Sequence, residues 1–182
     1  MPMTADELDD FYEGAEPSFG VDISGQDPRW ESQNFDPVEL VEMVVRETLF
    51  SATFGQPIEE EIKGGELGIL LTNDVFVKTL NREYRGKDKP TNVLSFPTDQ
   101  RGPGMPIGDV IIAFETVEKE SIDQMKPLRD HMMHLVVHGT LHLLGYTHDE
   151  DSEAQDMENL EIWILQKFGV SNPYITGPPI KD

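Results

Sequence analysis

Three histidines and one glycine, spaced over eleven residues, constrain this chain more than anything else in it. The segment reads His138-Gly-Thr-Leu-His142-Leu-Leu-Gly145-Tyr-Thr-His148. On a helix, residues four apart share a face, so His138 and His142 can point at one ion. A third ligand must then come from outside the helix. Gly145 tolerates a positive φ and can turn the chain back, which lets His148 complete the set. The fold must therefore end a helix at a fixed place and return the chain towards it.

Three neutral imidazoles suit Zn²⁺ and leave a fourth position for water. A structural zinc is more often closed by four ligands, so this set favours catalysis. The expectation is one zinc ion, held by His138, His142 and His148; nickel or cobalt would also suit three imidazoles. The spacing also occurs in metzincin peptidases, H-E-x-x-H-x-x-G-x-x-H, where the Glu is the general base. Here that place is Gly139, which cannot accept a proton. His134 lies one turn before the first ligand and either supports the site or simply packs at an interface. His131, at the start of the same face, reads as a packing residue.

The chain has no cysteine, which excludes thiolate ligands and disulfides. Its formal charge is −21, unevenly spread. Only residues 78–101 are basic, with six Lys or Arg against three Asp or Glu. So acidic a chain opposes non-specific binding to nucleic acid, but not a local basic cleft. The first residues lack a positive n-region and an apolar h-region, and no apolar run reaches the ~20 residues of a membrane span. The expectation is a cytoplasmic protein with no membrane partner.

Residues 1–17 are acidic and read as a disordered extension, residues 18–172 as a single domain, and residues 173–182 as a loose tail. A short strand is expected near Phe19–Ile23. Asp36-Pro37-Val38-Glu39 starts a helix with a cap, a first-turn proline and an acid three places on. Val41, Val44, Val45 and Leu49 form its apolar face, with Leu40 at the edge. Strands follow at Glu66–Thr72, Thr91–Phe96 and Ile107–Phe114. Helices follow at Asn73–Tyr84, with Val75, Phe76, Leu80 and Tyr84 on one side, and at Thr116–Met125, Leu128–Leu144 and Asp151–Phe168. Only a Gly/Pro loop separates the third and fourth strands, so they should pair antiparallel. The fold expected is α+β: a small mixed four-stranded sheet packed with about five helices, with the metal site on a helix and the turn after it.

The stretch HGTLHLLGYTHDEDSEAQDME, residues 138–158, resembles the signature of the YbeY family of rRNA maturation factors, proposed single-strand endoribonucleases. LNREYRGKDKPTNVLSFP, residues 80–97, resembles that family's second hallmark, and Gly108-Asp109-Val110-Ile111-Ile112 its third. The likeness covers about residues 35–170. It implies a zinc site at His138, His142 and His148 and a functional arginine at Arg85. Thr147 departs from the family pattern, which commonly has Asp before the last histidine.

The residues support part of this on their own. Arg85, Lys87 and Lys89 lie in the basic stretch, and an arginine's planar fork suits a phosphodiester. The expected catalytic residues are Arg85 and His138, the latter as a ligand. Asp109 could orient a ligand histidine or cap its strand, with His134 as a second possible support. Asn92 and Ser95 read first as buried polar residues of a strand. The reaction expected is metal-assisted hydrolysis of single-stranded RNA during rRNA processing, ribosome maturation and quality control. Its partners would be RNA and ribosomal particles, or a ribosome-associated protein such as a GTPase. Two other readings remain: a non-catalytic ribosome-assembly factor with structural zinc, and a metallopeptidase lacking the usual base.

Overall fold

Capping at Asp36 is local chemistry, and it appears as expected. In the computed structural model, which describes residues 19–175, the Asp36 carboxylate accepts from Val38 N and Glu39 N at 2.9 and 3.1 Å. Helix α1 runs from there, Pro37–Thr53, and buries Val41, Val44, Val45 and Leu49 completely. It follows strand β1, Gly20–Gly25. Between them Trp30 is buried, donates its indole N–H to Thr72 O at 3.0 Å and meets Phe114 edge-on. A six-residue helix that the pattern did not suggest, α2, Pro57–Ile62, precedes strand β2, Glu66–Thr72.

Helix α3, Asp74–Arg85, starts on an Asn73 cap and ends at Gly86, whose φ is 68°. Strands β3, Val93–Pro97, and β4, Gly108–Ala113, follow. Then come helices α4, Phe114–Asp123, α5, Leu128–Leu143, and α6, Asp151–Lys167. The described residues thus hold four strands and six helices. The sheet order is β1-β2-β4-β3. β1, β2 and β4 are mutually parallel, and β3 pairs antiparallel with β4, as its short connection requires.

One face of the sheet carries Leu67, Ile69, Leu71, Val110 and Ile112, which join α1, α5 and α6 in the main core. Helix α5 is the centre of that layer and is buried on nearly every side. A helix in such a place shows little amphipathic contrast. Among the described residues, the opposite face is covered only in part, by α3. There Asp22, Gly68, Asp109 and Phe96 lie side by side in register and line an open groove of about 430 Å³.

Helix α3 departs from the expected stripe. Val77 and Asn81 are its buried residues, while Val75 is 76% exposed and Tyr84 69%. The sheet covers the side that carries Val77, Leu80 and Asn81, which are three and four residues apart. Burial of an amide there is satisfied, because Asn81 Nδ2 donates to Lys89 O at 2.8 Å. The expected extension, residues 1–17, lies outside the described residues. Of residues 173–182, the first three are described, and Pro173 is buried there with its carbonyl accepting from Lys126 Nζ at 3.0 Å.

Candidate metal centre

The three histidines come together as their spacing implied. Helix α5 presents His138 and His142 on one face, with the two Nε2 atoms 2.9 Å apart. The chain leaves the helix at Gly145, whose φ is 98°. Tyr146 N donates back to Leu141 O at 3.1 Å, which folds the turn against the helix end. His148 then lies with its ring 5.0 Å from that of His142 and 5.6 Å from that of His138. One nitrogen from each of the three lies within 4.8 Å of the others, a group able to hold a metal ion.

The chemistry of the donors fits a divalent cation. Each ring offers one nitrogen inwards, and the outward nitrogens of two are already used. His142 Nδ1 lies 2.9 Å from Tyr146 O, which can only accept, so this nitrogen carries the proton. His138 Nδ1 lies 2.6 Å from Glu161 Oε1. Both contacts leave Nε2 as the inward lone pair, the tautomer a metal needs.

Glu161 is the residue that sequence reasoning missed. It comes from α6 and is fully buried. It also meets His134 Nε2 at 3.2 Å and accepts from the Tyr174 hydroxyl. Burial pushes the Glu161 carboxyl up, but the hydrogen bonds from His134 and His138 outweigh it and hold its pKa at about 2. Burial lowers the pKa of His134 and keeps it neutral, a donor to that carboxylate. His134 therefore meets the site through Glu161 and through an edge-on ring contact with His138, 6.4 Å between centroids. His131 stands apart, with Nε2 3.1 Å from Glu120.

Asp109 does not orient a ligand histidine. Side chains alternate along a strand, and Val110 is the β4 residue that faces α5. Asp109 points the other way, into the groove with Asp22 and Tyr84. Asn92 is buried and donates to Glu120 Oε2 at 3.1 Å. Ser95 is buried at the same interface and donates to Gly139 O at 3.0 Å. Thr147 Oγ1 donates to Glu153 Oε2 at 2.5 Å, across the turn that carries His148.

Beside the histidines opens a cleft of about 390 Å³, lined by Arg85, Ser95, Arg101, His142, Thr147 and His148 among others. Arg85 is exposed there at the last turn of α3. Arg101 is anchored instead: its guanidinium donates to Leu143 O at 2.5 Å and Leu144 O at 3.3 Å. These carbonyls end α5 and have no partner within the helix, so Arg101 ties down the turn between His142 and His148.

A family model described as Endoribonuclease YbeY matches residues 29–169. A protein named endoribonuclease YbeY from Sinorhizobium medicae (strain WSM419) is 42% identical over 167 residues, 88% of this chain and 95% of that one. One of the same name from Azorhizobium caulinodans is 43% identical over 157 residues, 85% of this chain and 95% of that one. Among solved structures, the solution structure of a Thermotoga maritima protein matches with a TM-score of 0.53 at 23% identity, covering 81% of this chain and 88% of that chain, a likeness of fold. With a family model matched over residues 29–169, and with relatives alike over nearly their whole length, the chain belongs to the YbeY family.

Proposed function

We propose that this chain is a metal-dependent endoribonuclease that cuts single-stranded RNA during rRNA processing and ribosome maturation. One observation carries the reading: a single cleft is lined by His142 and His148 of the metal group and by Arg85 and Arg101. The names of the relatives support the same activity. Zinc is the ion proposed, held by His138, His142 and His148. When bound, such an ion lowers the pKa of a coordinated water towards about 7 and polarises a phosphoryl oxygen.

The chain's own groups do the rest. Arg85 pairs with the non-bridging oxygens of the phosphodiester and stabilises the charge that builds up on them. Its exposed position at the end of α3 lets it meet a flexible strand. Arg101 keeps the turn in place with two of its five guanidinium N–H groups, and it lines the cleft beside Arg85. His134 is removed from the reaction, being buried behind Glu161 and outside the cleft lining.

The formal charge of −21 sets the manner of binding. Long-range attraction to RNA is absent, so engagement is local and short-lived. A ribosomal particle or a ribosome-associated protein would then bring the substrate. No helix among the described residues is long and apolar enough to cross a membrane; the cytoplasm is the setting proposed, because that is where ribosomal RNA would be met.

The test is cleavage of a labelled single-stranded RNA by the parent protein, His142→Ala and Arg85→Ala, prepared identically. The expected result is cleavage by the parent, none by His142→Ala, and a loss of 10²-fold or more for Arg85→Ala. Equal cleavage by all three, or none by the parent, would leave a ribosome-assembly factor with a structural metal as the better account. A 2′,3′-cyclic phosphate on the product would show that the RNA's own 2′-hydroxyl attacks, and would exclude water as the nucleophile.

A further inference from the structure

A fully buried carboxylate is costly unless it is well partnered. Glu161 has three partners, and they come from different parts of the chain. His138 Nδ1 meets Oε1 at 2.6 Å. His134 Nε2, at 3.2 Å, and the Tyr174 hydroxyl both meet Oε2. Tyr174 belongs to the segment that follows α6, and that segment is docked. Pro173 is buried, its carbonyl accepts from Lys126 Nζ at 3.0 Å, and Tyr174 N donates to Asn172 Oδ1 at 2.9 Å. The Tyr174 ring lies edge-on to His134 at 5.3 Å. It also lines a second cavity, of about 270 Å³, together with His138, His148 and Glu161.

We infer that Glu161 and Tyr174 are positioning residues of the metal centre, through which the segment after α6 sets how strongly His138 binds the ion. The inference rests on reading the three histidines as a metal site. A carboxylate that accepts from Nδ1 fixes the proton there, orients the ring and makes Nε2 a stronger donor to a cation. It does this only while its own two oxygens are held. Oε1 is held by His138 itself, whereas Oε2 depends on His134 and on Tyr174. His134 is carried by the same helix as His138 and His142, so it follows them. Tyr174 is the one partner that arrives from a separate segment, and its hydroxyl binds Glu161 only when that segment is seated.

Both residues lie outside the spacing that defines the ligands. Tyr174 is also outside the arginine-lined cleft. Substitution there should therefore change the ion's affinity and ligand field through His138, without removing a group that lines the arginine cleft.

The experiment is a cobalt(II) titration of the metal-free full chain, followed by the visible absorption of the bound ion. It compares the parent, Glu161→Gln, Tyr174→Phe and the double variant. Circular dichroism and thermal unfolding of each metal-free protein check that the fold is kept. Glu161→Gln is expected to weaken cobalt binding by about 10- to 100-fold and to shift the visible bands. Tyr174→Phe removes a single donor and should weaken binding by about three- to tenfold. In the double variant Tyr174→Phe should add nothing, because its effect passes through the carboxylate.

Parent-like affinity and bands in both single variants would overturn the inference. So would a Tyr174→Phe effect that persists undiminished beside Glu161→Gln. Should Glu161→Gln fail to fold, Tyr174→Phe alone decides: weakened binding with shifted bands supports the inference, and parent-like binding overturns it. A parent that takes up no cobalt would overturn the metal site and this inference together. Failure to cleave RNA with cobalt binding as expected would touch only the proposed function.

Discussion

Gly139 shows how much one residue can carry. In a peptidase of similar spacing a glutamate would stand there, but no side chain fits. A Cβ at Gly139 would lie 2.6 Å from Val110 Cγ1 and 3.1 Å from Ser95 Oγ. The metal helix approaches the sheet at that point, and the close approach lets Ser95 donate to Gly139 O. The residue that removes the usual base is thus the one that seats α5 on β3 and β4. Gly139→Ala should gain helix propensity, up to about 1 kcal/mol. It should lose more through overpacking, which costs about 1–3 kcal/mol. The expected outcome in urea unfolding is a net loss of about 1–2 kcal/mol, partly restored by Val110→Ala. A neutral or stabilising Gly139→Ala would show that the helix can retreat from the sheet.

At the scale of the element, helix ends are where local chemistry is decisive. Asp36 caps α1 with two hydrogen bonds, and α1 packs against the metal helix along the core. Asp36→Ala should therefore cost about 1 kcal/mol, and Asp36→Ser much less, since a serine oxygen can take the same place. Chemical denaturation of both variants checks this, and equal losses would argue against the cap. Helix α3 is the contrasting case. Its caps, Asn73 and Gly86, follow from the residues themselves, but its buried side does not. Val75 and Phe76 looked like part of one stripe with Leu80 and Tyr84. The sheet lies instead against Val77, and Tyr84 packs edge-on to Phe96 at the groove rim, 5.3 Å between rings.

Across the whole molecule, a polar chain ties distant segments together at one end of the sheet. Asp27 accepts from Arg29 N and its guanidinium at 2.8–3.0 Å. Arg29 Nη2 also donates to Glu115 Oε1 at 2.7 Å, and Glu115 Oε2 accepts from Asp74 N at 2.8 Å. Asp74 in turn accepts from Thr116 N and Oγ1 at 3.1 and 2.7 Å. The Arg29 guanidinium holds Asp27 at a pKa of about 2, against an ordinary 3.8. A carboxyl depressed on folding contributes stability that is complete above the ordinary value and is lost as pH falls through the folded one. Melting temperatures should record this between about pH 4 and pH 2. Asp27→Asn should be less stable than the parent above that window, and the gap should close within it. A gap that stays constant would mean that Asp27 is not held charged by Arg29.

What the sequence determined by itself is what backbone geometry makes periodic or short-ranged. His138 and His142 share a face because a helix repeats every 3.6 residues, and Gly145 turns the chain because it alone lacks a Cβ. Asp36 caps because its oxygen reaches two amides on, and β3 pairs antiparallel with β4 because a loop joins them. The tertiary structure decided everything that depends on how elements lie across one another. Glu161 and Tyr174 meet His138 only because α6 and the segment after it pack behind α5, and no spacing encodes that. Asp109, plausible as a support from its motif, faces the opposite side of the sheet, since register with Gly68 and packing of Val110 on α5 fix which side is inward. Local periodicity names the ligands. Only the packed layers choose the groups that hold them in place, because those contacts join residues whose separation along the chain carries no geometric information.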